Sequence, residues 1–301
     1  MQKGISIIIC SIDEKIRNSI VLNITETIGV PFEVIIHDNL ADNHGICSVY
    51  NKHIENAKYP FLCLIHEDII IHTKDWGNIL IQQAELKNTG IIGFAGTQTI
   101  SQYPYAWWSA DSSSNKINLV QGRGQDSLNW KSETKEAFSS ILVLDGFFLF
   151  FRKELVKEFR FDEKTFPYFH YYDVDFSFQV ALKYNNYVCN IIDVQHLSIG
   201  NVGNDWFRSA HFFCKKWQHE LPKSLSKEAY LRLVANDRNN FYWHIRLMVL
   251  NTSFGGKEIY KKGKKMKDIL FQDYSNIKLL FNLTHFYFLK NALRVYHFIF
   301  K

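Results

Sequence analysis

Three apolar runs separated by helical patterns constrain this chain more than any single residue does. Ile5 to Cys10 is an isoleucine-rich run of the kind buried on both faces of a sheet. Residues 13–28, DEKIRNSIVLNITETI, read as a helix with acids in its first turn, stopped by Gly29 and Pro31. FEVIIHDN at 32–39 makes a second strand, Gly45 to Ala57 a second helix, and FLCLI at 61–65 a third strand. This βαβ alternation predicts a mainly parallel sheet with right-handed crossovers. Ligands then collect at the carboxyl edge, and Ser11, Asp38 and Asp68 each fall just after one of the three strands. No GxGxxG follows the first strand and no P-loop is present, which disfavours a dinucleotide fold and a P-loop enzyme.

Further along, a helix is expected over 76–87 and a strand over 91–96. Residues 97–137 are polar, glycine-containing and aromatic, and read as a long irregular insertion. Within it, Trp107 and Trp108 suit either a loop covering a sugar substrate or a local hydrophobic anchor. A strand over 141–151 is interrupted by Asp145 and Gly146, and a glycine in a strand marks a bulge or a close ligand approach. The chain turns helical at about Asp173, and 187–201 reads as a strand followed by a turn. Beyond residue 205 the rhythm gives way to basic helices, so 1–204 is expected to form the main domain and 205–301 a helical extension.

Charge follows the same division. Residues 205–301 hold 18 Lys/Arg against 7 Asp/Glu, leaving 17 against 23 in the rest. The acidic front half argues against nucleic acid as the ligand, while a basic, aromatic tail suits an anionic membrane surface or a partner. KEIYKKGKKMK at 257–267 and the aromatic stretch 278–300 fit a helix lying in a membrane interface, or equally one packed on the catalytic domain or across a homodimer. The odd count of five cysteines, without a CxxC pair, points to buried thiols in a reducing compartment. With no signal-peptide pattern and no apolar run long enough to span a bilayer, the expected location is cytoplasmic, at most at the inner face of the membrane.

The chemistry concentrates in FLCLIHEDIII, where an apolar strand delivers His66, Glu67 and Asp68 and returns at once to apolar residues. A buried carboxylate needs a pair, hydrogen bonds or a metal, so the cluster reads as a cation or phosphate site, or else as a solvated turn. Six further segments stand in an informative order: SIIICS at 6–11, HDN at 37–39, GICSVYN at 45–51, DGFFLFFR at 145–152, HYYDVDF at 170–176 and HLSIG at 196–200. Together with the acidic strand end, they resemble a family 2 type glycosyltransferase of the GT-A fold, over roughly residues 4–204.

The resemblance implies a Rossmann-like α/β sheet flanked by helices, and it assigns roles. Ser11 and Asp38 would line the nucleotide pocket, and Asn51 matches an asparagine on the helix before the metal strand. Asp68 corresponds to the last acid of the DxD motif, holding Mn²⁺ or Mg²⁺ on the donor diphosphate, with His196 completing that site. Asp173 matches the catalytic aspartate, the base that takes the acceptor proton as direct attack inverts the anomeric centre. Asp145 would orient donor hydroxyls or pair with Arg152, Gly146 would approach the donor, and Trp107, Trp108, His170 and Asp175 are acceptor-side candidates, His170 having the alternative of a ring packed beside Tyr171 and Tyr172. Asp175 has a structural alternative as a charge at a helix N-terminus.

Two departures stand out. His66 replaces the first acid of the DxD motif, and Tyr172 replaces the first acid of the usual acid pair. Glu67 should alternate away from Asp68, toward the ribose or back onto the fold. The QxxRW signature of processive synthases is missing, which favours single-sugar transfer from a nucleotide sugar, UDP-linked by preference, to a glycan or lipid-linked glycan in surface polysaccharide assembly. Two other readings stay open: a sugar nucleotidyltransferase, although CSIDEK lacks its glycine-rich loop, and a non-catalytic glycan-binding protein on the same fold.

Overall fold

The computed structural model describes residues 3–237, apart from 105, 110 and 199–203. The expected opening is present as β1 (Ile5–Ser11), α1 (Glu14–Thr27), β2 (Phe32–Asp38), a short α2 (Asn39–Asp42), α3 (Ile46–Asn56) and β3 (Phe61–Ile65). Ile5, Ile7, Ile8 and Ile9 are fully buried, as an isoleucine run between two strands requires. The Asp13 carboxylate caps α1 by accepting from the Lys15 and Ile16 backbone N–H groups, at 2.9 and 3.1 Å. Gly29 ends that helix in the left-handed region, at φ +74°.

Then follow β4 (Ile69–Ile71), α4 (Trp76–Ala84), β5 (Thr89–Gly93), β6 (Ala95–Thr97), β7 (Thr99–Ile100), β8 (Asn115–Gln121), β9 (Leu128–Lys131), β10 (Phe138–Ile141), β11 (Val143–Leu144) and β12 (Phe148–Arg152). The described chain closes with α5 (Tyr172–Ala181), β13 (Asn185–Cys189), β14 (Val194–His196), α6 (Asn204–Lys216), β15 (Lys223–Ser224) and a helix over 227–237. The central seven-stranded sheet has the order β10-β13-β5-β12-β3-β1-β2. The pairings β1 with β2, β1 with β3 and β13 with β5 are parallel, so only β10 and β12 run against the other five strands.

Three local expectations are corrected. The 97–137 segment is not irregular throughout: β8 joins a second sheet of order β11-β6-β8-β14-β4, and β9 pairs with β8. Buried Asn118 anchors this segment, its amide donating to the Cys189 and Ile192 carbonyls at 3.0 and 2.9 Å. The 141–151 run is three short strands, because the chain leaves one sheet and enters the other around Asp145 and Gly146. The 187–201 run likewise divides into β13 and β14, one in each sheet.

All five cysteines are free thiols, four of them buried, and burial pushes Cys10, the half-buried one, up to about 11. Among the described residues no helix is long and apolar enough to cross a membrane. The basic run 257–267 and the aromatic stretch 278–300 lie outside the described residues. The described start of the expected extension, α6, is tied to α5. Lys216 bridges Asp162 and Asp175 at 2.8 Å each, and the Trp217 indole N–H donates to Asp175 at 2.8 Å.

Candidate active site

Strand register brings the rim together. Ser11 pairs with Asp38 at the ends of β1 and β2, and Ile9 pairs with Ile65 at the end of β3, so His66, Glu67 and Asp68 emerge on the same carboxyl edge. These three form a turn rather than extended backbone, which frees Glu67 from strict alternation. Its carboxylate folds back over the β1–α1 loop, accepting from the Ser11 hydroxyl at 2.5 Å and from the Ile12 and Asp13 N–H groups at 3.2 Å. Asp38 caps α2 and pairs with Arg17 at 3.1 Å. The Arg17 hydrogen bond, aided by the Leu40 N–H, holds the Asp38 carboxyl below the usual range.

Two sheets meet at Asp68. Antiparallel pairing of β14 with β4 sets His196 opposite Ile69, and the His196 Nε2 lies 3.4 Å from Asp68 Oδ1. Phe147 stacks on the His196 ring at 4.9 Å with 11° between planes, which fixes the imidazole from behind. Donor atoms of His66, Asp68 and His196 lie within 4.8 Å of one another. Burial opposes charge on Asp68, yet the His196 hydrogen bond and the two imidazoles, with Ser198, hold its carboxyl well below the usual range. His66 moves the other way: burial, then the neighbouring His196, push its imidazole down to about 4, so it stands neutral at physiological pH. One hard carboxylate oxygen and two imidazoles make a donor set that fits a divalent ion of the manganese class.

The second centre forms where Gly146 meets α5. A side chain at Gly146 would collide with the Tyr172 hydroxyl and with Asp173 Cβ at 2.7 Å, so only glycine admits this approach. Tyr172 donates its hydroxyl to the Gly146 carbonyl at 3.0 Å, and its oxygen lies 2.9 Å from His66 Nε2. Tyr171, just before α5, holds a left-handed φ of 66°, an uncommon backbone for a bulky residue and a local strain that turns the helix start onto the rim. Burial, then the charge of Asp145, raise the Asp173 carboxyl to about 7. Burial also raises Asp145.

Other expected residues lie elsewhere or stay at the margin. Asp175 is buried against α6, its carboxylate engaged by Lys216, Trp217 and Gln179, so it faces away from any acceptor. Asn51 donates its amide N–H to the Phe161 carbonyl at 2.9 Å, anchoring a loop. Trp107 is buried and packs edge-on against Trp108, which is half exposed and offers a ring face. His170 is half-buried beside the exposed Phe169, whose ring also lies 5.5 Å from His66. Sequence reasoning missed Arg17 and the bonding of Tyr172. The first was visible as a cation one helical turn after the Asp13 cap, the second as a tyrosine in an acid position.

The sequence profile described as the Glycosyltransferase like family matches residues 6–216. The chain belongs to that family. It is therefore a glycosyltransferase, and its mixed α/β sheet agrees with solved relatives of the GT-A fold. The crystal structure of S. aureus TarS residues 1–349 superposes with a TM-score of 0.54 at 14% identity, covering 90% of this chain and 80% of that one. The same protein in complex with UDP-GlcNAc gives a TM-score of 0.53 at 13% identity, covering 90% and 81%. No functionally curated protein matches the chain.

Proposed function

We propose that this glycosyltransferase moves one sugar from a nucleotide-sugar donor to a glycan or lipid-linked acceptor, with metal assistance and inversion at the anomeric carbon. The observation that carries the reading is the junction of two unlike centres at Gly146. On one side lies an acid whose pKa is raised to about 7, on the other a cluster of two imidazoles and a carboxylate. A carboxyl poised near neutral pH is suited to accept the proton of an attacking hydroxyl. Asp173 is that base, and Asp145 helps to set its proton affinity while facing the donor side with Gly146.

Asp68, His196 and His66 are the residues that would hold the ion, which when bound neutralises charge gathering on the departing diphosphate. Ser11 and Glu67 shape the floor of the nucleotide pocket, and Asp38, aligned by Arg17, accepts hydrogen bonds at its outer wall. Trp108 and His170 line the acceptor side. A UDP-sugar is the first donor to test, since TarS has been solved with UDP-GlcNAc. Surface polysaccharide assembly is the proposed setting.

Calorimetric titration of UDP and GDP, with and without Mn²⁺, into wild type and Asp68→Ala tests the reading. Metal-dependent binding of one nucleotide that the variant loses is the expected result. Absence of binding by either nucleotide with Mn²⁺ present would remove the donor assignment.

A further inference from the structure

The relay behind His66 carries an inference that rests on, and deepens, the metal-assisted reading. A tyrosine hydroxyl has one proton, and the Gly146 carbonyl can only accept. The 3.0 Å bond to that carbonyl therefore uses the Tyr172 proton. At 2.9 Å from His66 Nε2, the same oxygen is left to accept, which places a proton on Nε2. Nδ1 then keeps the lone pair that a metal requires. Metal-binding histidines are oriented in this way, the far nitrogen donating to a fixed acceptor that also raises ligand basicity. Here the acceptor is a tyrosine on α5, locked in turn by the backbone of the Asp145–Gly146 segment, and the ring is buried between Tyr50 at 5.8 Å and Phe161 at 6.3 Å.

We propose that His66 acts as a metal ligand through Nδ1, that Tyr172 is the positioning residue fixing its tautomer, and that the resulting centre selects a manganese-class ion over Mg²⁺. The selectivity follows from donor chemistry. Mg²⁺ takes carboxylate, phosphate and water oxygens, whereas imidazole nitrogens favour first-row transition ions. With one carboxylate and two imidazoles gathered within 4.8 Å, most of the protein's donors are the kind Mg²⁺ accepts least readily. The same substitution of histidine for the first acid also lowers the negative charge of the site, which lets a donor diphosphate enter with less repulsion.

The test uses the full chain with MnCl₂ and MgCl₂, alone and with UDP or GDP. Affinity is read from the free Mn²⁺ resonance, and ligand identity from imidazole nitrogen couplings in the pulsed spectrum of bound Mn²⁺. Wild type is expected to show couplings from two imidazoles and to bind Mn²⁺ well ahead of Mg²⁺. His66→Ala should retain one coupling. Tyr172→Phe, which keeps the ring but loses the acceptor, should weaken Mn²⁺ binding by roughly 10–100-fold, as loss of an outer partner does, and narrow the preference over Mg²⁺. A single imidazole coupling in wild type, or equal affinity for the two ions, overturns the proposal without any variant. So does Tyr172→Phe with both couplings and unchanged affinity. Nucleotide binding with no metal bound under any condition overturns this proposal and the metal assistance, while leaving sugar transfer itself in place.

Discussion

At Asp173 burial and the adjacent Asp145 charge place the carboxyl at about 7, which sets the pH range in which it can take a proton. The acid limb of the rate profile should therefore fall near neutral pH, and Asp145→Asn, by removing a neighbouring negative charge, should move that limb to lower pH. The same shift has a stability consequence of opposite sense. A folded-state pKa above the ordinary value means that the contribution of this group is complete below about pH 4 and is lost as pH rises to about 7. Asp173→Asn should thus melt a few degrees higher than wild type at pH 8, with the gap narrowing by pH 5, while its turnover falls by roughly 10²–10⁴-fold. Melting curves across that range check the sign. The places of Asp68 after a strand and of Asp173 at a helix start were legible in the sequence. The Arg17 pair and the use of Ser11 by Glu67 were not: the first joins α1 to the end of β2 across the fold, and the second depends on a turn at 66–68 that alternation alone does not foretell.

Between elements, two contacts decide whether the rim assembles. Gly146 lets α5 approach β12, so Gly146→Ala should push Tyr172 and Asp173 outward, costing about 1–3 kcal/mol of stability and most of the activity. The other is the ion cluster under α6. Asp175 is 1% exposed and its burial raises its proton affinity, an effect that Lys216 opposes with its charge and hydrogen bond. Lys216→Ala strands that carboxylate and should cost about 3–5 kcal/mol, whereas Lys216→Met with Asp175→Asn should recover much of the loss. Denaturant titration of the three proteins separates these outcomes. At this scale the opening βαβ units were readable because one hydrophobic period held through each run. The 97–137 segment was not, since β8 and β9 are partly polar strands that pair with each other, and β8 is completed by β14 from far along the sequence.

Over the whole molecule, the family match runs through residue 216, and α6 is tied to α5 within it. The remaining charge asymmetry belongs to the sequence beyond it, where 257–267 and 278–300 combine lysines with aromatic residues. We propose that this extension brings the enzyme to an anionic surface bearing lipid-linked acceptors. Sedimentation with vesicles should show binding to anionic but not to neutral lipid, weakening as salt rises. Salt-independent binding to both would assign the tail to apolar contact instead, and a stable dimer without vesicle binding would assign it to a second copy.

The central claim, that Asp173 is the base of a donor site built on Asp68, is tested most directly by nucleotide release from a panel of UDP- and GDP-sugars. Wild type and Asp173→Asn are compared with Mn²⁺ present, and donor affinity is measured on the same samples. The predicted result is release from one donor class by wild type, with turnover lost and donor affinity kept in the variant. Turnover by Asp173→Asn equal to that of wild type would contradict it.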